Sequence, residues 1–252
     1  MTFTNGVEWK QAFVNGVEVD EMYQNGILFY KKFNEPEYIQ NGLHIHFDAI
    51  NNTGNGHDDN TDTWVDLING VQASLAATAW SDDCINTIGD ISKIEYNPTT
   101  SGELLQCTIM VTHFTEKTGV HPRIFGEREF PTLYLNSNTG YSYYYYGQGK
   151  DSPFVPATQT KTAGRSHVAL RVSQTQDANK AELFVDGVKA GEREINATPS
   201  AIWKSSQYIG NNPSGSRGAT AQFCNFMVYD RLLTNEEIQH NYEIDRERFN
   251  II

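Results

Sequence analysis

Ala219-Thr-Ala-Gln-Phe-Cys-Asn-Phe-Met-Val-Tyr-Asp-Arg-Leu-Leu-Thr-Asn-Glu-Glu-Ile238 holds the transition that decides the fold. Residues 219–229 read as a strand, and Asp230 to Leu233 as a turn. Thr234-Asn-Glu-Glu237 is a capping box: the hydroxyl can accept a first-turn N–H while Glu237 reaches back. Ile238, Tyr242 and Phe249 then fall near one helical face, and Arg246 and Arg248 suit the C-terminal end of the dipole. Nothing upstream repeats this helical signature. Short strand candidates instead succeed one another at 43–47, 63–67, 91–96, 104–112, 123–127, 132–135, 141–146, 167–172, 181–185, 188–195 and 206–209. Asn136-Ser-Asn-Thr-Gly140 and Asp186-Gly187 read as hairpin loops. Many short strands without intervening long helices predict an all-β chain, an antiparallel β-sandwich closed by one short C-terminal helix.

A different pattern precedes the sandwich. Asn-Gly recurs at Asn5-Gly6, Asn15-Gly16 and Asn25-Gly26, at an even period of ten. Asn-Gly between apolar runs is a strong hairpin signal, because both residues tolerate positive φ. Residues 1–36 therefore read as a small β-meander arm. Three-residue loops of the Val14-Asn15-Gly16 type would place Phe13 opposite Val17. They would also set Val7, Trp9, Phe13, Val17, Val19, Tyr23, Ile27, Phe29 and Phe33 on one face. Three short strands cannot cover such a face themselves. It must dock on the chain's own domain, on sister arms or on a larger assembly; its regularity favours attachment or oligomerisation. Pro36 marks the boundary, which gives an arm over 1–36 and a sandwich over 37–252.

The 252 residues suit one sandwich of roughly 200 residues plus an arm. A net charge of −12 argues against non-specific nucleic-acid or anionic-membrane binding, and no stretch is apolar enough to span a bilayer. No basic and apolar leader follows Met1, although a chain whose export signal had been removed would look the same. Cys84, Cys107 and Cys224 are odd in number and widely spaced, which predicts reduced, mostly buried thiols and assembly in a reducing cytosol.

With the strand order in view, the larger part resembles the laminin-G-like, pentraxin-related branch of the concanavalin A-like lectin/glucanase sandwiches. The resemblance rests on Gly42-Leu43 through Phe47-Asp48, Trp64-Val-Asp66-Leu67, Leu183-Phe-Val-Asp-Gly187, Tyr208-Ile-Gly210 and the closing run Val228 to Ile238. It covers residues 38–249 and implies two antiparallel sheets in jelly-roll order, with the first and late strands side by side. The arm resembles the Asn-Gly-Val repeats that open bacteriophage tail, fibre and capsid-associated proteins. Lectins, adhesins, glycosidases and structural modules all occur on this fold, so the site must decide between them.

Several residue sets compete for that site. The family's glycosidases place carboxylates as Glu-x-Asp-x-x-Glu, and a retaining mechanism needs two of them about 5 Å apart. Glu18-Val-Asp20 is the nearest match, but Tyr23 breaks it and it lies in the arm. Asp48, Asp58, Asp59, Asp62 and Asp66 offer hard oxygen ligands, and relatives often hold calcium at the sandwich rim; a solvated loop with Asx turns is the alternative. His44 and His46 share a strand face, with His57 following, yet no third ligand of a transition-metal site is placed. In Tyr141-Ser-Tyr-Tyr-Tyr-Tyr146, one alternate set belongs to the core; Tyr144 and Tyr146, with Trp80 and Trp203, are the candidates to stack on sugar rings.

These readings predict a non-enzymatic bacteriophage virion protein of a fibre, tail or capsid decoration. Its arm would bind other virion proteins or sister chains, and its sandwich would bind cell-surface glycan. The alternative is an extracellular location, as a secreted bacterial glycan-binding module or glycosidase accessory domain.

Overall fold

The computed structural model describes residues 37–98, 105–116, 122–126, 132–136, 142–147, 150–152, 164–175, 179–194 and 206–252, together with the backbone of six short strands between residues 3 and 31. The chain forms two compact units, Met1–Glu37 and Tyr38–Ile252.

The first unit corrects the expected meander. Its strands pair as three separate hairpins: Phe3–Thr4 with Val7–Glu8, Phe13–Val14 with Val17–Glu18, and Glu21–Gln24 with Ile27–Lys31. Thr4 pairs with Val7, Val14 with Val17 and Gln24 with Ile27, so two residues, not three, separate the paired strand ends in each hairpin. Phe13 therefore stands opposite Glu18 rather than Val17, and Tyr23 opposite Leu28. The proposed common face of Val7, Phe13, Val17, Tyr23, Ile27 and Phe29 does not follow from this register; Trp9, Val19 and Phe33 lie outside the described residues. The physical reason is local. Two successive residues that accept positive φ make a turn whose twist matches that of the strands, and this overrides the apolar pattern.

The second unit is a sandwich of two antiparallel sheets. One sheet runs in the order Thr78–Ser81, Cys84–Thr87, Ala221–Tyr229, Gln106–Thr115, Ser166–Gln174, Asn179–Val185 and Val188–Glu194. Leu43–Asp48 joins it beside Ala221–Tyr229, with Phe47 opposite Phe226, so the first and last strands of the sandwich are neighbours, as the resemblance implied. The other sheet runs Lys150–Ser152, Ser142–Gly147, Thr132–Asn136, Arg123–Phe125, Gln207–Ile209, Lys93–Tyr96, Gln72–Ala76 and Thr63–Val65. Between them, Ile45, Phe47, Ile109, Val111, Phe226 and Val228 of the first sheet meet Trp64, Ala73, Ile94, Ile124, Leu133 and Ile209 of the second.

The helix Asn235–Arg248 lies across the outer face of the first sheet. It begins where its capping box predicts: Glu237 N–H donates to Thr234 Oγ1 and Thr234 N–H to Glu237. Ile238 and Ile244 pack on Met110, Ala169, Phe184, Met227 and Tyr229. Both faces of the central strands are thus covered, which is why Gln106–Thr115 and Ala221–Tyr229 are buried almost throughout. The turn Asp186-Gly187 has φ of 49° and 75° and joins Val185 directly to Val188.

The expectation that the thiols are reduced is overturned for Cys84 and Cys224. Cys84 and Cys224, 140 residues apart, are joined in a disulfide, and only Cys107 is a free, buried thiol. Ile85 pairs with Phe223, so the next positions along the two antiparallel strands bring these cysteines face to face. Sequence spacing hides this proximity. The disulfide packs against Phe249 and Ile251 behind the helix.

Candidate functional site

The outer face of the second sheet collects polar and aromatic groups from separate strands. In Lys93-Ile-Glu-Tyr96, Ile94 and Tyr96 enter the core, so Lys93 and Glu95 face outward. Register sets Thr63, Ser74, Glu95 and Tyr208 in one row across four strands. Tyr208 hydroxyl donates to Glu95 at 3.0 Å, and Lys93 Nζ lies 2.6 Å from the same carboxylate. The Lys93 ammonium, aided by the Tyr208 hydroxyl, holds the Glu95 carboxyl below its usual range. Lys93 also sits 5.0 Å over the Tyr208 ring. Beside this group Ser206 donates to Asn97 at 2.6 Å.

The face continues on the far side of Gln207–Ile209. Arg123 pairs with Tyr134, and its guanidinium carbon lies 4.9 Å from the centre of that ring. Ile124 and Leu133, the alternating neighbours, are core residues. Tyr144 stands opposite Tyr134 and Tyr146 opposite Thr132 in the ladder, while Tyr145 is in register with the core residue Leu133. Cations set against tyrosine rings keep long side chains extended over the sheet. Lys93, Glu95, Arg123 and Tyr134 are not singled out by the sequence, and Tyr208 enters only as part of the Tyr208-Ile-Gly210 motif, with no site role. The one available signal was the alternation in 93–96; the rest come from strands that only the sheet aligns.

A second cluster lies at the rim. Trp80 is half-buried, edge-on to Trp64 at 5.6 Å and to His57 at 6.0 Å. Its indole N–H donates to the Thr61 carbonyl at 2.9 Å, so the polar edge of this sugar-stacking candidate already has a partner. Trp203, another such candidate, lies outside the described residues, and of Tyr144 and Tyr146 only the backbone is described.

The five aspartates do not converge. Asp66 Oδ1 accepts from the N–H groups of His46 and Ile68, and Oδ2 from Asn69. Asp48 caps Ile50 and pairs with Arg248 at 2.6 Å. Asp58 accepts from Asn60, Asp59 pairs with His57, and Asp62 is exposed. Among the described residues, no three His, Cys, Asp or Glu groups form a metal-ligand set. His46 lies against Tyr38 beneath the helix and His57 in the rim loop, so the histidines are separated too.

A third polar cluster is buried under the helix. Asp245 Oδ1 accepts from Tyr38 and Asn225 and Oδ2 from Thr112, while Arg248 bridges Tyr38 and Asp48. Asp245 is fully buried; its role is to tie the helix to the sheet.

Two antiparallel sheets with neighbouring first and last strands, a helix over one outer face and a polar–aromatic row on the other define a lectin-type β-sandwich. Residues 110–239, about half of the chain, match the model of the concanavalin A-like lectin/glucanases superfamily, and the chain belongs to that family. No curated protein matches it in sequence. Among solved structures, a Trypanosoma rangeli sialidase in complex with 2,3-difluorosialic acid superposes with a TM-score of 0.62 at 16% identity, over 82% of this chain and 33% of that one. This chain therefore spans a third of the sialidase's length. Domain 4 of an extracellular arabinanase from Geobacillus stearothermophilus, in complex with arabinotriose, superposes at 0.60 with 13% identity, over 78% and 96% of the two chains. The receptor-binding domain of a botulinum neurotoxin C/D mosaic serotype gives 0.61 at 11% identity, over 80% and 51%.

Proposed function

We propose that this protein is a non-catalytic glycan-binding module whose site is the outer face of the second sheet. The observation that carries the reading is the Lys93–Glu95–Tyr208 group in one sheet with the Arg123–Tyr134 pair. Sugar hydroxyls take charged donors and acceptors, which Lys93, Glu95 and Arg123 supply, and sugar C–H faces take tyrosine rings, of which the half-buried Tyr134 is the candidate here. Tyr208 is buried beneath Lys93 and contributes its hydroxyl. Similar folds solved with sialic acid analogues or arabinotriose support the same class of ligand. Glu95 is held ionised by its cation and phenol, which suits an acceptor rather than a general acid.

The Asn-Gly arm, in this proposal, fixes the module to a larger assembly, either sister chains or the tail, fibre or capsid of a bacteriophage. A second reading, a secreted bacterial module, is favoured by one specific observation: the Cys84–Cys224 disulfide suits an oxidising location.

A glycan array probed with the full chain tests the site. Binding that falls at least tenfold in both Glu95→Gln and Tyr134→Ala, with no released sugar, supports it. Undiminished binding by both variants, or binding to no glycan, refutes it. Sizing the full chain against one lacking residues 1–36 tests the arm: an unchanged assembly state excludes it as the oligomeriser.

A further inference from the structure

The polar face of the second sheet does not end at Glu95. In the neighbouring strand Gln72–Ala76, Ala73 is a core residue, so Gln72 and Ser74 point outward, and both are exposed. Ser74 stands opposite Glu95 on one side and Thr63 on the other. The same antiparallel register, carried two residues on, sets the exposed Asn97 beside Gln72. The Asn97 side-chain oxygen accepts from Ser206, but its amide nitrogen and the Gln72 side chain have no hydrogen-bond partner among the described residues. Thr63 belongs to the edge strand. Its hydroxyl is 3.2 Å from that of Thr61, whose carbonyl takes the Trp80 indole N–H. The row that starts at Tyr208 therefore leads to the sheet's edge beside Trp80, an aromatic that is only half-buried.

Tyr134 marks the other end. From its strand, Thr132–Asn136, to Thr63–Val65 the sheet has six neighbouring strands. At about 4.8 Å per spacing this strip is roughly 24 Å across. One sugar ring covers little more than one spacing, whereas a chain laid across the strands meets new polar groups at each. Charge narrows the class of chain. The Lys93 ammonium is committed to Glu95 at 2.6 Å, and Asp62 stands exposed next to Thr63. A chain with carboxylates on successive sugars would set them against Glu95 and against this acidic end; a chain of hydroxyls meets no such repulsion.

We propose that the strip from Tyr134 to Trp80 binds a linear, neutral oligosaccharide whose chain crosses the strands. Gln72, Ser74 and Asn97 bond the hydroxyls of sugars beyond the one at Glu95, and Trp80 meets the sugar at the far end. The inference rests on the glycan-binding reading and adds to it the length and the charge of the ligand.

The test titrates the full chain by calorimetry with linear gluco-, xylo-, manno- and arabino-oligosaccharides of one to eight sugars, and with oligogalacturonides and sialyl-oligosaccharides as acidic chains. We expect affinity for a neutral series to rise at least tenfold between two sugars and six, and acidic chains of equal length to bind at least tenfold more weakly. Ser74→Tyr fills the middle of the strip at an exposed strand position. It should lower binding of six sugars at least fivefold and leave binding of two within twofold. Gln72→Ala, an exposed truncation that spares the fold, should act in the same sense. Affinity that levels off at two sugars, tighter binding of acidic chains, or both variants binding six sugars as the wild type does overturns the strip. If Glu95→Gln still abolishes binding in those cases, the glycan-binding reading survives without it. Binding to no chain of any length refutes that reading and the strip together.

Discussion

The Tyr38 hydroxyl donates a 2.6 Å hydrogen bond to Oδ1 of Asp245, joining the residue that opens the sandwich to the helix that closes it. The bond spans 207 positions of sequence. Arg248 donates to the same hydroxyl and to Asp48, while Asn225 and Thr112 complete the carboxylate's partners. Both ends of the domain are thereby tied to the central strands. Asp245→Ala leaves three buried donors without their acceptor. It should lower stability by about 3–5 kcal/mol in urea denaturation, against about 1–2 kcal/mol for Tyr38→Phe. Equal effects would mean that the carboxylate is not the hub.

Acid should weaken the fold through its buried histidines. Burial pushes His167 down to about 4 and His113 down to about 3. The unfolded chain takes up these protons below the ordinary histidine value near 6.5, and the folded chain refuses them. Stability therefore falls as pH drops from about 6.5 towards 4, by up to about 1.4 kcal/mol per pH unit for each histidine. Asp245 acts in the opposite sense near its own midpoint, since burial raises it despite its hydrogen bonds. Calorimetry at half-unit steps checks this; a Tm constant between pH 6.5 and 4.5 contradicts it.

Reduction of the Cys84–Cys224 disulfide should cost about 2–5 kcal/mol, because it closes a loop of 140 residues and backs the helix through Phe249 and Ile251. Non-reducing peptide mapping should recover the linked pair. Cys107→Ala, which breaks no bond, should leave that pairing intact.

Gly187 ties a hairpin to the helix. Its φ is +75°, and a Cβ there would meet Gln239 Oε1 at 2.3 Å and Tyr242 Cδ1 at 2.8 Å. Gly187→Ala should therefore lose about 2 kcal/mol or more, combining backbone strain with displacement of the helix. Thermal unfolding measures it; a neutral result would show that Gln239 and Tyr242 swing aside freely.

Asp66 is committed to three backbone N–H groups at the bend after the Thr63–Val65 strand. Asp66→Ala should destabilise by about 3 kcal/mol equally in millimolar calcium and in chelator. A loss seen only with calcium present would support the cation role considered for this residue.

The fold was largely legible because its signals are local. The capping box at Thr234, the positive-φ pair Asp186-Gly187 and the alternation in Leu43-His-Ile-His-Phe47 each act over a few residues. Gln72–Ala76, Thr78–Ser81 and Cys84–Thr87 escaped notice because alanine, serine and asparagine give weak strand signals. In the arm, the apolar pattern and the turn chemistry pointed to different registers, and the turn chemistry prevailed.

The sequence by itself determined the class of protein: strand periodicity, turn residues and one capped helix are short-range properties that a single chain displays openly. Only the tertiary structure decided which residues act together. The Cys84–Cys224 bond, the Asp245 hub and the Lys93–Glu95–Tyr208 face each unite residues from distant segments. Antiparallel pairing creates those neighbours across the sheets, and no spacing along the chain encodes them.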